Sequence, residues 1–255
     1  MSITIKTENQ IGKMRRAGEL LAKVEALIAK TVAPGVTTAY LDKLAEDYIR
    51  SHGGIPSFKG YGGFPATLCT SVNEEVVHGI PGKRILQEGD ILSVDMGCIL
   101  DGYHADMART YAIGEVSPEA KKLIEVTKQS FFEGIIFAKN GNHLNDIGSA
   151  IQKYVEEHGF SVVRAYVGHG IGTKLHEPPE IPNYKTLARG VRLQKGMTLA
   201  IEPMVNMGDW NVRVLKDGWT AVTKDGKYAA HYENTILITD GAPEILTLPQ
   251  QTKES

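Results

Sequence analysis

Four acidic residues and one histidine stand in positions that call for a cation. Asp95 closes the apolar run Ile91-Leu92-Ser93-Val94-Asp95-Met96, and Glu202 sits in Leu199-Ala200-Ile201-Glu202-Pro203-Met204. An ionised carboxylate in such a strand must find a partner, take up a proton or be strongly destabilising. An arginine partner or a turn cap would satisfy one such residue; two apolar strands ending in equivalent acids favour a shared metal. Asp101-Gly102 is a hairpin turn signal that pairs Leu100 with Tyr103 and, counting back, Gly97 with Asp106. Residues two apart on a strand share a face, so Asp95 lies on the face of Asp106, diagonally across the ladder. Diagonal neighbours are about 7–8 Å apart at the backbone, a spacing from which two carboxylates reach one cation or bracket two.

The histidine is His169, in Gly168-His169-Gly170-Ile171-Gly172. Its small neighbours permit close approach by backbone or substrate. Taken alone, it would be read as a loop residue. The stretch is only a partial phosphate-binding fingerprint and lacks the strand–turn–helix setting, which argues against a nucleotide role. Beside Asp95, Asp106, Glu202 and Glu233, a ligand role gains weight. Those four acids carry four negative charges, which two divalent cations neutralise. One imidazole with carboxylates suits Mn, Fe(II), Co or Zn better than thiolate-seeking ions, and Ca or Mg would rarely recruit the imidazole. Two such ions bridged by hydroxide form a standard hydrolytic device.

The elements that must position these groups are legible as periodicities. Thr7-Glu8-Asn9-Gln10 fits a capping box before a helix carrying Ile11, Met14, Leu21, Val24 and Ile28 and ended by Pro34-Gly35. A second helix presents Leu41, Leu44, Tyr48 and Ile49 and stops at Gly53-Gly54. Residues 67 to 113 read as strands. Ser117-Pro118 starts a third helix, ending near Asn140-Gly141, and Asn145 is expected to cap a fourth, ending at Gly159. From Val162 the chain reads as strands and loops.

An internal repeat runs through this pattern. Tyr48-Ile49-Arg50-Ser51-His52-Gly53 matches Tyr154-Val155-Glu156-Glu157-His158-Gly159, the segment from Leu86 to Asp95 matches that from Leu193 to Glu202, and His104-Ala105-Asp106 matches His231-Tyr232-Glu233. The matches keep their order, and an acid closes the second and third in both halves. The expected architecture is α+β: one domain, residues 1–255, built as two pseudo-symmetric lobes of antiparallel strands backed by helices, about 1–115 and 117–248. Asp95 thus corresponds to Glu202 and Asp106 to Glu233, leaving His169 without a counterpart.

With 255 residues, 42 % hydrophobic and 23 % charged, the composition is that of a globular protein. The net charge of -2 gives no global pull toward nucleic acid or membrane. Two cysteines are too few for a disulfide framework. The polar opening MSITIKTENQ has no signal-like apolar region, and no run approaches a membrane span. A cytoplasmic protein without membrane or nucleic-acid partners is the expectation.

The motifs Asn73-Glu74-Glu75-Val76-Val77-His78-Gly79-Ile80-Pro81, Ser93-Val94-Asp95, Asp106, Gly168-His169-Gly170-Ile171-Gly172, His176-Glu177-Pro178-Pro179, Ile201-Glu202-Pro203 and Glu233-Asn234-Thr235 resemble the methionine aminopeptidase family, type I, over nearly the whole chain. The amino-terminal extension of eukaryotic type I forms and the long insertion of type II forms are not seen, so the resemblance is to the short bacterial form. It implies the pita-bread fold and hydrolytic removal of the initiator methionine from nascent proteins and peptides through a metal-bridging hydroxide. It also implies a monomer in transient contact with the ribosome. Asp106 and Glu233 would bridge the metals, Asp95 would complete one site, and His169 with Glu202 the other. Glu202 would double as proton carrier. His176 would contact the scissile amide and stabilise the tetrahedral intermediate, and His78 would hold the substrate backbone or assist the leaving amine. Without the resemblance, His78 and His176 would be polar loop residues.

The same resemblance places Tyr61, Phe64, Cys69, Leu175 and Trp219 in the walls of the specificity pocket, with Phe58 at its rim. Apolar, sulfur-tolerant walls suit an unbranched thioether. Two departures stand out: Gly97 replaces a hydroxyl residue often found near the metals, and Ala229 stands where a serine often completes a monovalent-cation site. An Xaa-Pro peptidase or a non-catalytic binding module of the same fold are the alternatives. The former usually carries a long additional amino-terminal domain, and the latter typically loses ligands.

Overall fold

Thr7 opens the first helix as its sequence requires: its hydroxyl accepts from the Gln10 amide at 3.4 Å, and the Gln10 side chain accepts from the Thr7 amide at 2.8 Å. The structure is a computed structural model that describes residues 3–249; Met1 and Ser2 of the polar opening, and residues 250–255, lie outside the described residues. The helices are α1 (Glu8–Thr31), α2 (Thr38–Ser51), α3 (Pro118–Ile135) and α4 (Leu144–Glu157). The strands of the first half are β1 (Ile55–Pro56), β2 (Leu68–Val72), β3 (Glu75–Val77), β4 (Ile91–Leu100) and β5 (Tyr103–Ala112). Those of the second half are β6 (Ser161–Val162), β7 (Gly168–Gly170), β8 (Glu177–Ile181), β9 (Thr198–Ile201), β10 (Met204–Asn206), β11 (Val212–Val214), β12 (Ala221–Thr223), β13 (Ala229–His231), β14 (Glu233–Leu237) and β15 (Glu244–Ile245).

Three expected boundaries move; the third helix, expected to end near Asn140-Gly141, ends at Ile135. The stretch 67–113 is not continuous strand: residues 78–90 run as a loop, where Gly79, Pro81 and Gly82 break the pairing. The cap of α4 is His143, not Asn145. The Asp146 carboxylate accepts from the His143 amide at 2.9 Å. The Asn145 side chain instead accepts from the Thr186 amide at 2.7 Å, which ties the helix start to a distant loop. Ser117 caps α3 as expected, accepting from the Ala120 amide at 3.1 Å.

The main sheet is antiparallel, ordered β1-β4-β5-β14-β9-β7-β8, with β2 also paired to β4 and β15 to β14. The hairpin register is Leu100 with Tyr103 and Gly97 with Asp106, and Asp95 opposes Ala108. On β4, Leu92, Val94, Met96 and Cys98 point to the layer of α1 and α2, where they pack with Leu21, Val24, Leu41 and Ile49. Strand alternation therefore turns Ser93, Asp95 and Gly97 to the opposite face. In the second half, α3 and α4 cover β9 and β14 through Leu123, Phe131, Ile147, Ile151, Leu199 and Ile236. Each half of the sheet thus has a helix pair behind it, and β5 meets β14 at the centre through Glu233 opposite Ala108.

Candidate metal centre

Asp95, Asp106, Glu202 and Glu233 converge with His169 on one cavity of about 200 Å³. Four strands position the carboxylates. Asp95 and Asp106 come from the β4–β5 hairpin, Glu233 opens β14, and Glu202 follows the last residue of β9. Arg109 braces the junction of β5 and β14, donating to the carbonyl of Glu233 at 2.6 Å and to the Asn234 side-chain oxygen at 2.8 Å. The Thr235 hydroxyl accepts from the Asp106 amide and donates to its carbonyl, both at 3.0 Å.

His169 is held between β8 and β9, pairing with Glu180 and Ala200. Its glycine neighbours serve that packing. A Cβ at Gly168 would lie 2.4 Å from the carbonyl oxygen of Ala200, and one at Gly170 would lie 2.2 Å from that of Pro178. The close approach expected from the glycines is therefore made by neighbouring backbone. Nδ1 of His169 lies 2.9 Å from the Gly170 carbonyl oxygen. A carbonyl only accepts, so Nδ1 carries the proton and Nε2 keeps a lone pair. Nε2 sits 3.7 Å from Asp106 Oδ2 and 3.6 Å from Glu202 Oε1.

The donor set fits divalent metal. Asp95 Oδ1, Asp106 Oδ1 and Glu233 Oε1 are buried without a hydrogen-bond partner, an arrangement costly unless a cation satisfies them. Ligand atoms of Asp106, His169 and Glu233 lie within 4.8 Å of one another, as do those of Asp95, His231 and Glu233. Burial pushes the Asp95 carboxyl up to about 7. Burial, and then repulsion from neighbouring carboxylates, drives Asp106, Glu202 and Glu233 well above the usual range. Burial in turn lowers His169 to about 3, keeping the imidazole neutral as a ligand must be.

Above the acids stand His176 and His78. Nδ1 of His176 lies 2.7 Å from the Tyr61 hydroxyl, and its ring centroid is 4.3 Å from that of His169. His78 has φ +61, a left-handed conformation uncommon outside glycine, and packs edge-on against Tyr166 at 5.3 Å. Burial lowers His78 to about 4, and it lowers His176 as well. The same cavity is lined by Phe58, Tyr61, Phe64, Cys69, Leu175 and Trp219, with Phe64 edge-on to Trp219 at 5.1 Å. Trp219 is partly buried. A Cβ at Gly97 would lie 2.8 Å from the Phe58 ring and 2.9 Å from Ser57 Cβ, so a side chain there would force its neighbours to shift.

Val77, Tyr166, Val167 and Met204 also line the cavity and were not singled out in the sequence. Tyr166 and Val167 just precede the glycine-flanked histidine, and Met204 follows Glu202-Pro203. In the sequence His231 stands out only as part of the repeat, and its two-residue spacing from Glu233 is the signal that puts it near the acids.

The sequence pattern of Metallopeptidase family M24 matches residues 12–240. A curated methionine aminopeptidase of Clostridium acetobutylicum is 59 % identical over 247 residues, covering 96 % of this chain and 99 % of the relative. The solved methionine aminopeptidase of Thermotoga maritima superposes with a TM-score of 0.95 at 49 % identity, covering 97 % of this chain and 100 % of that one. The prolidase of Pyrococcus horikoshii gives a TM-score of 0.77 at 21 % identity over 97 % of this chain and 64 % of its own, a likeness of fold alone.

Proposed function

The chain belongs to metallopeptidase family M24, and from that premise we propose how its own residues carry out the reaction of its methionine aminopeptidase relatives. That reaction is hydrolysis of the peptide bond after an amino-terminal methionine. The fold is the α+β pita-bread fold of those relatives, and we read it as one domain of two similar lobes whose pseudo-axis runs between β5 and β14. The observation that carries the functional reading is the meeting of four buried acids and a neutral imidazole with an apolar, sulfur-lined pocket in a single cavity.

Asp106 and Glu233 would be shared between two ions, with Asp95 on one side and His169 and Glu202 on the other. Bound divalent cations, among Mn, Fe(II), Co and Zn, supply Lewis acidity toward the scissile carbonyl and the attacking water. Glu202 accepts the proton of that water. It faces the His169 side of the cluster, with Oε1 3.6 Å from His169 Nε2, which sets it beside the place where that water would be held. His176 acts at the oxygen of the scissile carbonyl. With Nδ1 occupied by Tyr61, the neutral ring offers Nε2 for the charge that develops in the tetrahedral intermediate. His78, also neutral, holds the substrate backbone or the leaving amine.

Phe58, Tyr61, Phe64, Cys69, Leu175 and Trp219 receive the methionine side chain, for which polarizable thioether–aromatic contacts are favourable. Among the described residues no helix is long and apolar enough to cross a membrane. A monomer working in the cytoplasm on nascent chains, with transient ribosome contact, fits the reaction. The test is turnover of Met-Ala-Ser against Ala-Pro peptides by metal-free protein reconstituted with each ion separately. Release of methionine with at least one ion, and none from the metal-free protein, is expected; cleavage of Ala-Pro alone would overturn the reading.

A further inference from the structure

The repeat in the sequence sets His104-Ala105-Asp106 against His231-Tyr232-Glu233, yet the fold uses the two histidines differently. Nδ1 of His104 lies 2.9 Å from the Ser57 hydroxyl, and His104 does not line the cavity above the acids. His231 is 1 % exposed, and its Nε2 has no hydrogen-bond partner. That nitrogen is aimed into the acidic cluster, 3.8 Å from Glu233 Oε2 and 3.9 Å from Glu202 Oε2. Ligand atoms, one each from Asp95, His231 and Glu233, lie within 4.8 Å of one another.

The backbone holds the ring there. The Thr110 hydroxyl accepts from the His231 amide and donates to its carbonyl, both at 2.9 Å, and Met204 pairs with His231 across β10 and β13. A buried imidazole nitrogen clamped in this way and left without a partner is costly unless something satisfies it. The Glu202 and Glu233 oxygens are too far for a good hydrogen bond. They are close to the distance between two ligand atoms on one ion, given metal–ligand bonds of about 2.0–2.2 Å.

We propose that His231 is a further metal ligand, with Nε2 joining the Asp95 and Glu233 carboxylates around one ion. This rests on the two-metal reading above and changes it in one respect. His169 marks one ion, His231 marks the other, and each carries an imidazole. The asymmetry expected from the repeat, in which only His169 lacked a counterpart, is thereby reduced. A second nitrogen donor also moves the site on the Asp95 side away from Mg and Ca and toward Mn, Fe(II), Co and Zn.

The test uses full-length protein loaded with Co(II), compared as wild type, His231→Gln and His169→Gln. Hyperfine-shifted exchangeable imidazole N–H resonances in the proton NMR spectrum count the ligated histidines: two in wild type and one in each variant are expected. Calorimetric titration of His231→Gln should show one of the two Co(II) affinities weakened by at least about tenfold, with the other retained. A single shifted imidazole in wild type, or an isotherm unchanged in His231→Gln, would overturn the assignment while leaving the metallopeptidase reading intact. Wild type that binds no Co(II) would overturn both. If His231→Gln does not fold, the count in wild type decides alone.

Discussion

The Nδ1 of His176 and the hydroxyl of Tyr61 lie 2.7 Å apart, joining a residue proposed to act on the scissile carbonyl to one in the pocket wall. The contact occupies Nδ1 and leaves Nε2 as the edge of the imidazole free for substrate. Tyr61→Phe keeps the ring and removes the partner. A hydrogen bond of this kind contributes about 1 kcal/mol, so kcat on Met-Ala-Ser should fall roughly fivefold to tenfold with little change in KM. Steady-state kinetics of the variant check this; an equal rise in KM at constant kcat would place the bond in ground-state binding instead.

Metal-free protein should respond to pH in a particular direction. Asp95 has an ordinary value of 3.8 and is raised by burial to about 7. Between those values the folded protein holds a proton that the unfolded chain has released, so folding is progressively weakened as pH rises. Asp106, Glu202 and Glu233 shift the same way. Metal replaces those protons and removes the penalty. The gap in Tm between Mn(II)-loaded and chelator-treated protein should therefore widen from about pH 5 to about pH 7. Thermal melts across that range give the answer, and a gap independent of pH would contradict the account.

Much of the site was legible because short-range rules fix it. The two-residue turn at Asp101-Gly102 sets the β4–β5 register, and strand alternation then puts Asp95 and Asp106 on one face. Contacts distant in sequence were not legible. Asn145 looks like a helix cap in its local context, but its side chain is engaged by Thr186, and only tertiary structure decides that competition. The glycines around His169 signal close approach without saying by what; the carbonyls of Ala200 and Pro178 supply the answer. His231 was hidden for a related reason: it shares a repeat motif with His104, and the side chains that meet each ring lie on other strands.

Gly97 offers a direct test of packing at the pocket rim. A Cβ there would meet the Phe58 ring at 2.8 Å and Ser57 Cβ at 2.9 Å, distances that force side chains to move. Gly97→Ser should destabilise the protein by about 1–3 kcal/mol, as overpacking does. Displacement of Phe58 should raise KM for methionyl peptides while the metal content stays at the wild-type value. Denaturant melts with parallel kinetics test both halves. A Gly97→Ser protein of unchanged stability and KM would show that the rim yields without cost.

Lys6 and Glu177 form a buried ion pair at 2.6 Å, with side chains 3 % and 10 % exposed. The pair sits over Gly172, where a Cβ would lie 2.6 Å from both the Lys6 Cε and a Glu177 oxygen. It ties the amino-terminal segment to the loop that carries Leu175 and His176. Burial raises Glu177, but the bond from Lys6 and the amide of Lys174 outweigh it and hold the carboxyl below its ordinary value. The stabilisation is thus present above the ordinary value of 4.5 and lost as pH falls below it through the lowered folded-state value. Lys6→Met leaves the carboxylate without its cation and should cost about 2–4 kcal/mol, since removing one partner of a buried pair is worse than removing both. Because His176 adjoins Glu177, kcat should fall with stability. The double variant Lys6→Met/Glu177→Leu should recover much of the lost Tm, because no charge is then left buried. Thermal melts of the single and double variants decide it: a double variant no more stable than Lys6→Met would mean that the loss comes from packing around the Lys6 stem.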